Sequence, residues 1–233
     1  MDDTMPILLV PGLVSSARVF APVIPALWRL GPVTVANHIR DDSMGAIARR
    51  ILAEAPPRFA LAGHSMGGYI AFEIIRQAPE RVARLALMNT SARPDTPEAT
   101  LRRRGMIGRA QAGEFRAVLN ELFPLFVHPS RVDDRALRQL IDDMADDVGA
   151  DAFVRQLEAV IGRADSRPTL ARIECPTLVL TADQDNTVPN SLSTEIAEGI
   201  HGAKLVVLAD CGHIVQAEQT QATANALVEW LRN

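Results

Sequence analysis

At 233 residues, with 48% apolar and 22% charged side chains, the chain can bury the core of one large domain and still carry an inserted subdomain. A net charge of −4 and a pI near 5.7 give no electrostatic case for a nucleic-acid partner. No segment reaches the roughly 18 consecutive apolar residues that a bilayer span requires, so no membrane partner is expected.

Residues 6–10 (PILLV) form a short continuous apolar run, as a parallel strand buried on both faces requires. Pro11 to Val14 follow as a turn, and Ser15 or Ser16 is placed to cap a helix running towards Trp28. Residues 32–36 read as a second strand, 37–43 as a polar connection, and 44–55 as a helix ended by Pro56 and Pro57. A third strand, 59–62, leads through Gly63-His64-Ser65-Met66-Gly67 into a helix that carries Ile70, Ile74 and Ile75 and stops near Pro79. Residues 82–88 are the fourth strand. From Asn89 to about Arg172 strand-like runs vanish, and helices are predicted over 100–112, 114–123, 133–144 and 150–161, with Pro129 and Gly149 as breaks. A strand at 176–182, a helix around 190–199, a strand at 204–209 and a helix at 220–231 complete the pattern. Strands alternating with helices predict an α/β fold with a mainly parallel central sheet and helices on both faces. The division is residues 1–90 and 170–233 as core and 91–169 as a helical insertion.

The stretch around Ser65 has the chemistry of a nucleophile elbow. A residue at the tip of so sharp a strand-to-helix turn takes strained backbone angles, and its neighbours must be small for strand and helix to pass closely. The N–H groups at the start of the following helix then face a developing oxyanion. The plainer alternative is a Gly-rich turn without chemistry.

In parallel sheets, sites form at the carboxyl ends of the strands. Gly12, Leu13 and Val14 follow the first strand and Ser65 the third; Asp183 and Asp185 follow the fifth; Asp210, Gly212 and His213 follow the sixth. A hydroxyl, carboxylates and an imidazole thus fall on one rim in the chain order Ser, Asp, His. A serine needs a base to take its proton, and the base needs a carboxylate to hold its tautomer. Ser65 and His213 fill the first two roles. Asp185, followed by Thr187-Val188-Pro189, is the candidate acid, with Asp183 as the alternative. The N–H groups of Met66 and Leu13 are the candidate oxyanion donors. His64 is expected to pack beside the strand, and His38, His128 and His201 to be solvated.

With these pieces placed, the chain resembles the α/β-hydrolase family over nearly its whole length, through LLVPGL, GHSMGG, APERVARLALMN, TADQDNTVP and CGHIVQAEQ. The resemblance implies Ser65 as nucleophile, Asp185 as acid, His213 as base, and 91–169 as a helical cap. It implies no cofactor and no metal. Pro11 stands where most relatives carry histidine, Thr220 where a proline is common, and 37–43 lacks the usual Gly-rich stretch. Within the family the chain is similar to small carboxylesterases such as the pimeloyl-carrier-protein methyl ester esterase.

The reaction expected is cleavage of a small-molecule carboxylic ester through an acyl-enzyme. The alternatives are a lactonase, a thioesterase or a C–C bond hydrolase, a hydroxynitrile lyase, or a slow-turnover ligand receptor. Val14, Phe123, Phe126, Val188 and Ile214 are the candidate substrate-binding residues. Arg102 to Arg104, Arg131, Arg135 and Arg138 form either a solvated face paired with Asp133, Asp134, Asp142 and Asp143 or a dock for an acidic carrier protein. Cys175 and Cys211 read as small buried thiols rather than a disulfide framework. The acidic start lacks the basic and long apolar regions of a secretory leader, so a cytoplasmic location is expected. The sequence leaves the oligomeric state open.

Overall fold

The computed structural model describes residues 4–233; the acidic start behind the reading of no secretory leader lies partly outside the described residues. β1 (Ile7–Val10) is followed by a 3-10 turn at Ala17–Val19, capped by the Ser16 hydroxyl, and by the short α1 (Ile24–Leu27). The helix predicted towards Trp28 is therefore broken in two. Pro22 and Pro25 lack the N–H groups that a continuous helix would need there. β2 (Val33–Val35), α2 (Met44–Glu54), β3 (Phe59–His64), α3 (Met66–Gln77) and β4 (Val82–Met88) follow. Next come α4 (Pro97–Arg109), α5 (Phe115–Phe126), α6 (Arg135–Val148), α7 (Ala150–Ile161) and α8 (Arg167–Leu170). The chain then returns to β5 (Thr177–Ala182), α9 (Asn190–Gly199), β6 (Lys204–Leu208), α10 (Val215–Glu218) and α11 (Thr220–Arg232).

Among the described residues the six strands form one sheet in the order β2-β1-β3-β4-β5-β6, with every neighbouring pair parallel. Alternation along each strand divides the interior. Ile7, Leu9, Ala60, Ala62, Leu178 and Leu180 face the side covered by α1 and α11. Leu8, Val10, Phe59, Leu61, Leu85 and Val179 face α2, α3 and α9. The register sets Val10 beside Gly63, His64 beside Met88 and Ala182 beside Leu208, so the strand ends that carry the candidate residues share one rim.

Between β4 and β5 the chain is helical and has an apolar cluster of its own, built from Ile107, Phe115, Val118, Leu119, Phe153 and Leu157. Gly113, at φ 89°, kinks the junction of α4 and α5. The sequence places the end of α5 at Phe123 because Pro124 follows, yet the helix runs on to Phe126 with Pro124 in its last turn. A proline there removes the bond to the carbonyl of Asn120 and crowds that carbonyl, and the helix ends two residues later. Among the described residues no helix is long and apolar enough to cross a membrane. Cys211 is buried and Cys175 half-buried, and both are free thiols.

Candidate active site

Ser65 joins β3 to α3 at φ 54° and ψ −116°, in the left-handed region that a side chain ordinarily avoids. The conformation is held from both sides. Its N–H donates to the Met88 carbonyl at 2.8 Å, and its carbonyl accepts from the Thr90 hydroxyl at 2.8 Å and from Gly68 N–H at 2.9 Å. A Cβ on Gly67 would fall on the Val10 carbonyl, and one on Gly63 on the Gly67 carbonyl. Both glycines are therefore required by close backbone approach.

From Ser65 a continuous hydrogen-bonded line crosses the rim. Its hydroxyl lies 2.9 Å from His213 Nε2, and His213 Nδ1 lies 2.8 Å from Asp185 Oδ2. An ionised carboxylate can only accept, so Nδ1 carries the proton and Nε2 is left to accept from the hydroxyl. Asp185 is buried, which works against its charge. The imidazole of His213, the Asn89 amide at 2.9 Å and the N–H of Val188 at 2.9 Å outweigh that and hold the carboxyl below its usual range. Thr187 N–H adds a further bond at 2.8 Å. Asp183 is elsewhere: it accepts from the N–H groups of Asp210 and Cys211 and orders the turn beneath the histidine. Asn89 was not among the sequence candidates. It is fully buried at φ 48°, and an asparagine directly after a strand was its only signal.

Bonds to α5, to Glu218 and to His64 fix the loop of His213. The last carbonyls of α5 have no partner within the helix. That of Phe126 accepts from the N–H groups of His213 and Ile214, and that of Leu125 from the Thr187 hydroxyl. Glu218 accepts from the N–H groups of Gly212 and His128. His64 Nε2–H donates to the His213 carbonyl at 2.9 Å. Burial, with His213 beside it, brings the His64 pKa down to about 3, so its ring stays neutral. A serine, imidazole and buried carboxylate in this order can pass the hydroxyl proton to Nε2 as the oxygen attacks a carbonyl carbon.

Residues 32–220 match the family model of the α/β-hydrolase fold. The chain is an α/β hydrolase. A relative from Azorhizobium caulinodans, RutD, named as a candidate carbamate hydrolase, is 32% identical over 220 residues, covering 86% of this chain and 81% of that protein. A thermophilic esterase from Thermogutta terrifontis superposes with a TM-score of 0.87 at 27% identity, covering 98% of this chain and 89% of that one. An enol-lactonase from Burkholderia xenovorans shares the fold, with a TM-score of 0.88 at 23% identity and coverage of 99% and 92%.

In this hydrolase the rim opens into a cavity of about 90 Å3. Leu13, Val14, Met66, Phe126, Val188 and Ile214 all line it, together with Ser65 and His213. Among the described residues, no acceptor takes the N–H of Leu13 or of Met66. Phe126 lies face-on to His213, with ring centroids 6.1 Å apart. Phe123 does not line the cavity. It is buried in the core on the α1 and α11 side of the sheet, with Arg138 over its ring at 5.0 Å. Phe126 lies three positions further along α5, on much the same face but one turn nearer the loop of His213, which is why it reaches the cavity and Phe123 does not.

His38, expected in solvent, is buried and bonded through Nε2 to the Gly12 carbonyl at 2.9 Å. Gln156, also buried, accepts from the Val14 N–H at 2.9 Å. Together they grip the first turn, where Val14 has φ 56°. Neither showed in the sequence, because a histidine in a polar loop and a glutamine in a helix carry no mark of distant partners. The arginine pairing also differs from expectation. Arg103 binds Asp95, Arg104 binds Glu158 and Arg131 binds the Glu218 carbonyl, while Asp134 caps α6; among the described residues only Arg138 with Asp142 follows the anticipated set.

Proposed function

We propose that this α/β hydrolase cleaves carboxylic esters of small acyl groups through an acyl-enzyme. Ser65 attacks the carbonyl, His213 takes its proton and later delivers it to the leaving oxygen, and Asp185 holds the ring and stabilises the imidazolium. The N–H groups of Leu13 and Met66 hold the oxyanion, and water releases the acyl group. The observation that carries this reading is the line from Ser65 Oγ through His213 to Asp185, with bonds of 2.9 and 2.8 Å at the mouth of a lined cavity. Residues 91–169 act as the cap that shapes that cavity, and 1–90 with 170–233 as the catalytic body.

The relation to RutD favours carbamates as a second class, since a carbamate presents the same carbonyl to the same serine. A short-chain p-nitrophenyl ester should give a burst of p-nitrophenol that Ser65→Ala abolishes. Undiminished turnover in that variant defeats the proposal. The matching p-nitrophenyl carbamate, assayed in parallel, ranks the two classes by specificity constant.

A further inference from the structure

Among the described residues, one side chain in the cavity wall carries a permanent charge. Arg103, on α4, lines the cavity with Val14, Ile141, Met144 and Val160. Its Nη1 is bonded to Asp95, whose side chain is 2% exposed. Asp95 has a second cation. Arg163, 9% exposed, donates to the same carboxylate oxygen at 3.0 Å, and the Thr100 hydroxyl donates to the other oxygen. Arg163 spends further donors on the carbonyls of Arg93 and Val160. Two guanidinium groups therefore share one carboxylate, leaving a positive charge at the wall.

Nε and Nη2 of Arg103 have no acceptor among the described residues, although the side chain is only 23% exposed. Among the described residues, Asp95 is the one carboxylate bonded to it, and Arg163 competes for that same oxygen. Nε–H and Nη2–H form the side-on edge of the guanidinium, the pair of parallel donors that fits both oxygens of one carboxylate. Arginine stays charged even where burial lowers its pKa.

We propose that Arg103 is an anion-docking residue, and that the site takes esters carrying a second, ionised carboxyl group. This rests on Ser65 acting as a hydrolytic nucleophile. The purely structural alternative is that Arg103 only anchors Asp95. Arg163 performs that task without it, so Arg103→Met leaves the carboxylate paired.

The test compares p-nitrophenyl butyrate with mono-p-nitrophenyl succinate in wild type, R103M and R103K. Loss of a charge-assisted pair should lower kcat/KM for the succinate by about 10- to 100-fold in R103M. The butyrate should move by less than about threefold, the scale of a lost surface contact, and R103K should fall between. Equal losses on both esters, or a wild type that disfavours the succinate, overturn the docking role while leaving the hydrolase reading intact. If neither ester is turned over, the hydrolase reading fails separately, and calorimetric binding of glutarate to wild type and R103M decides the docking site. Glutarate binding that R103M abolishes supports it; equal binding, or none to wild type, refutes it. Should R103M not fold, wild type alone decides. Glutarate but not glutaramide should compete with butyrate hydrolysis, and equal or absent competition by both overturns the proposal.

Discussion

Replacing Asn89 should expose how the carboxylate of Asp185 is kept charged in a buried place. Asn89 donates to Oδ2 at 2.9 Å, while Oδ1 takes the N–H groups of Thr187 and Val188. Asn89→Gly removes the amide and tolerates φ 48°. A hydrogen bond to a charged group contributes about 1.5–3 kcal/mol, and that is the expected deficit in unfolding free energy at pH 7. Asn89→Ala should lose about 1–2 kcal/mol more, from the left-handed backbone alone. The two parts separate with pH. The folded carboxyl lies below its unfolded value, so its stabilisation is present above the unfolded pKa of about 3.9 and is lost as pH falls through the folded one. Urea unfolding at pH 7 and near pH 3 is the assay. The glycine deficit should shrink at the lower pH, and the extra alanine deficit should persist. A glycine deficit that stays constant across that range, or is unchanged in an Asp185→Asn background, refutes the account.

Gly67→Ala should cost at least about 3 kcal/mol or yield no folded protein, because its Cβ lands on the Val10 carbonyl. Gly105→Ala, in open space on α4, should instead gain about 0.5–1 kcal/mol, as thermal unfolding of the two would show. His64 is held neutral down to about 3, whereas the unfolded chain protonates near pH 6.5. Its contribution to stability should therefore fall by about 1.4 kcal/mol per pH unit between those values, and urea titrations of His64→Gln should show a shallower acid limb. His38→Ala leaves the Gly12 carbonyl, next to the Leu13 N–H, with only its 3.2 Å bond from the Ser15 N–H and should lower kcat about tenfold with KM nearly unchanged. A change in KM alone would mean that His38 does not position the oxyanion turn.

The strands were legible because each is a short apolar run between turn residues, and alternation then decides which side chain meets which helix layer. The glycines of the elbow were legible for a steric reason, and the contacts at Gly63 and Gly67 supply it. What escaped was everything set by long-range pairing. Asn89 bonds across 96 positions, His38 to Gly12 across 26, and Val14 to Gln156 across 142. No local composition announces such partners. Phe123 failed differently: Pro124 beside it makes a poor helix interior and so suggested a pocket, whereas the helix runs through to Phe126 and the Phe123 ring lies with the core of the sheet.

The bond from the His64 ring to the His213 carbonyl has a mechanical consequence. It ties the turn bearing the hydroxyl directly to the loop bearing the imidazole, so the spacing of the two does not depend on the helical segment between β4 and β5. The far wall of the cavity is supplied by other elements: Arg103 of α4, Phe126 of α5, Ile141 and Met144 of α6 and Val160 of α7. Replacements in those helices can retune admission while the chemistry at the strand ends keeps its spacing.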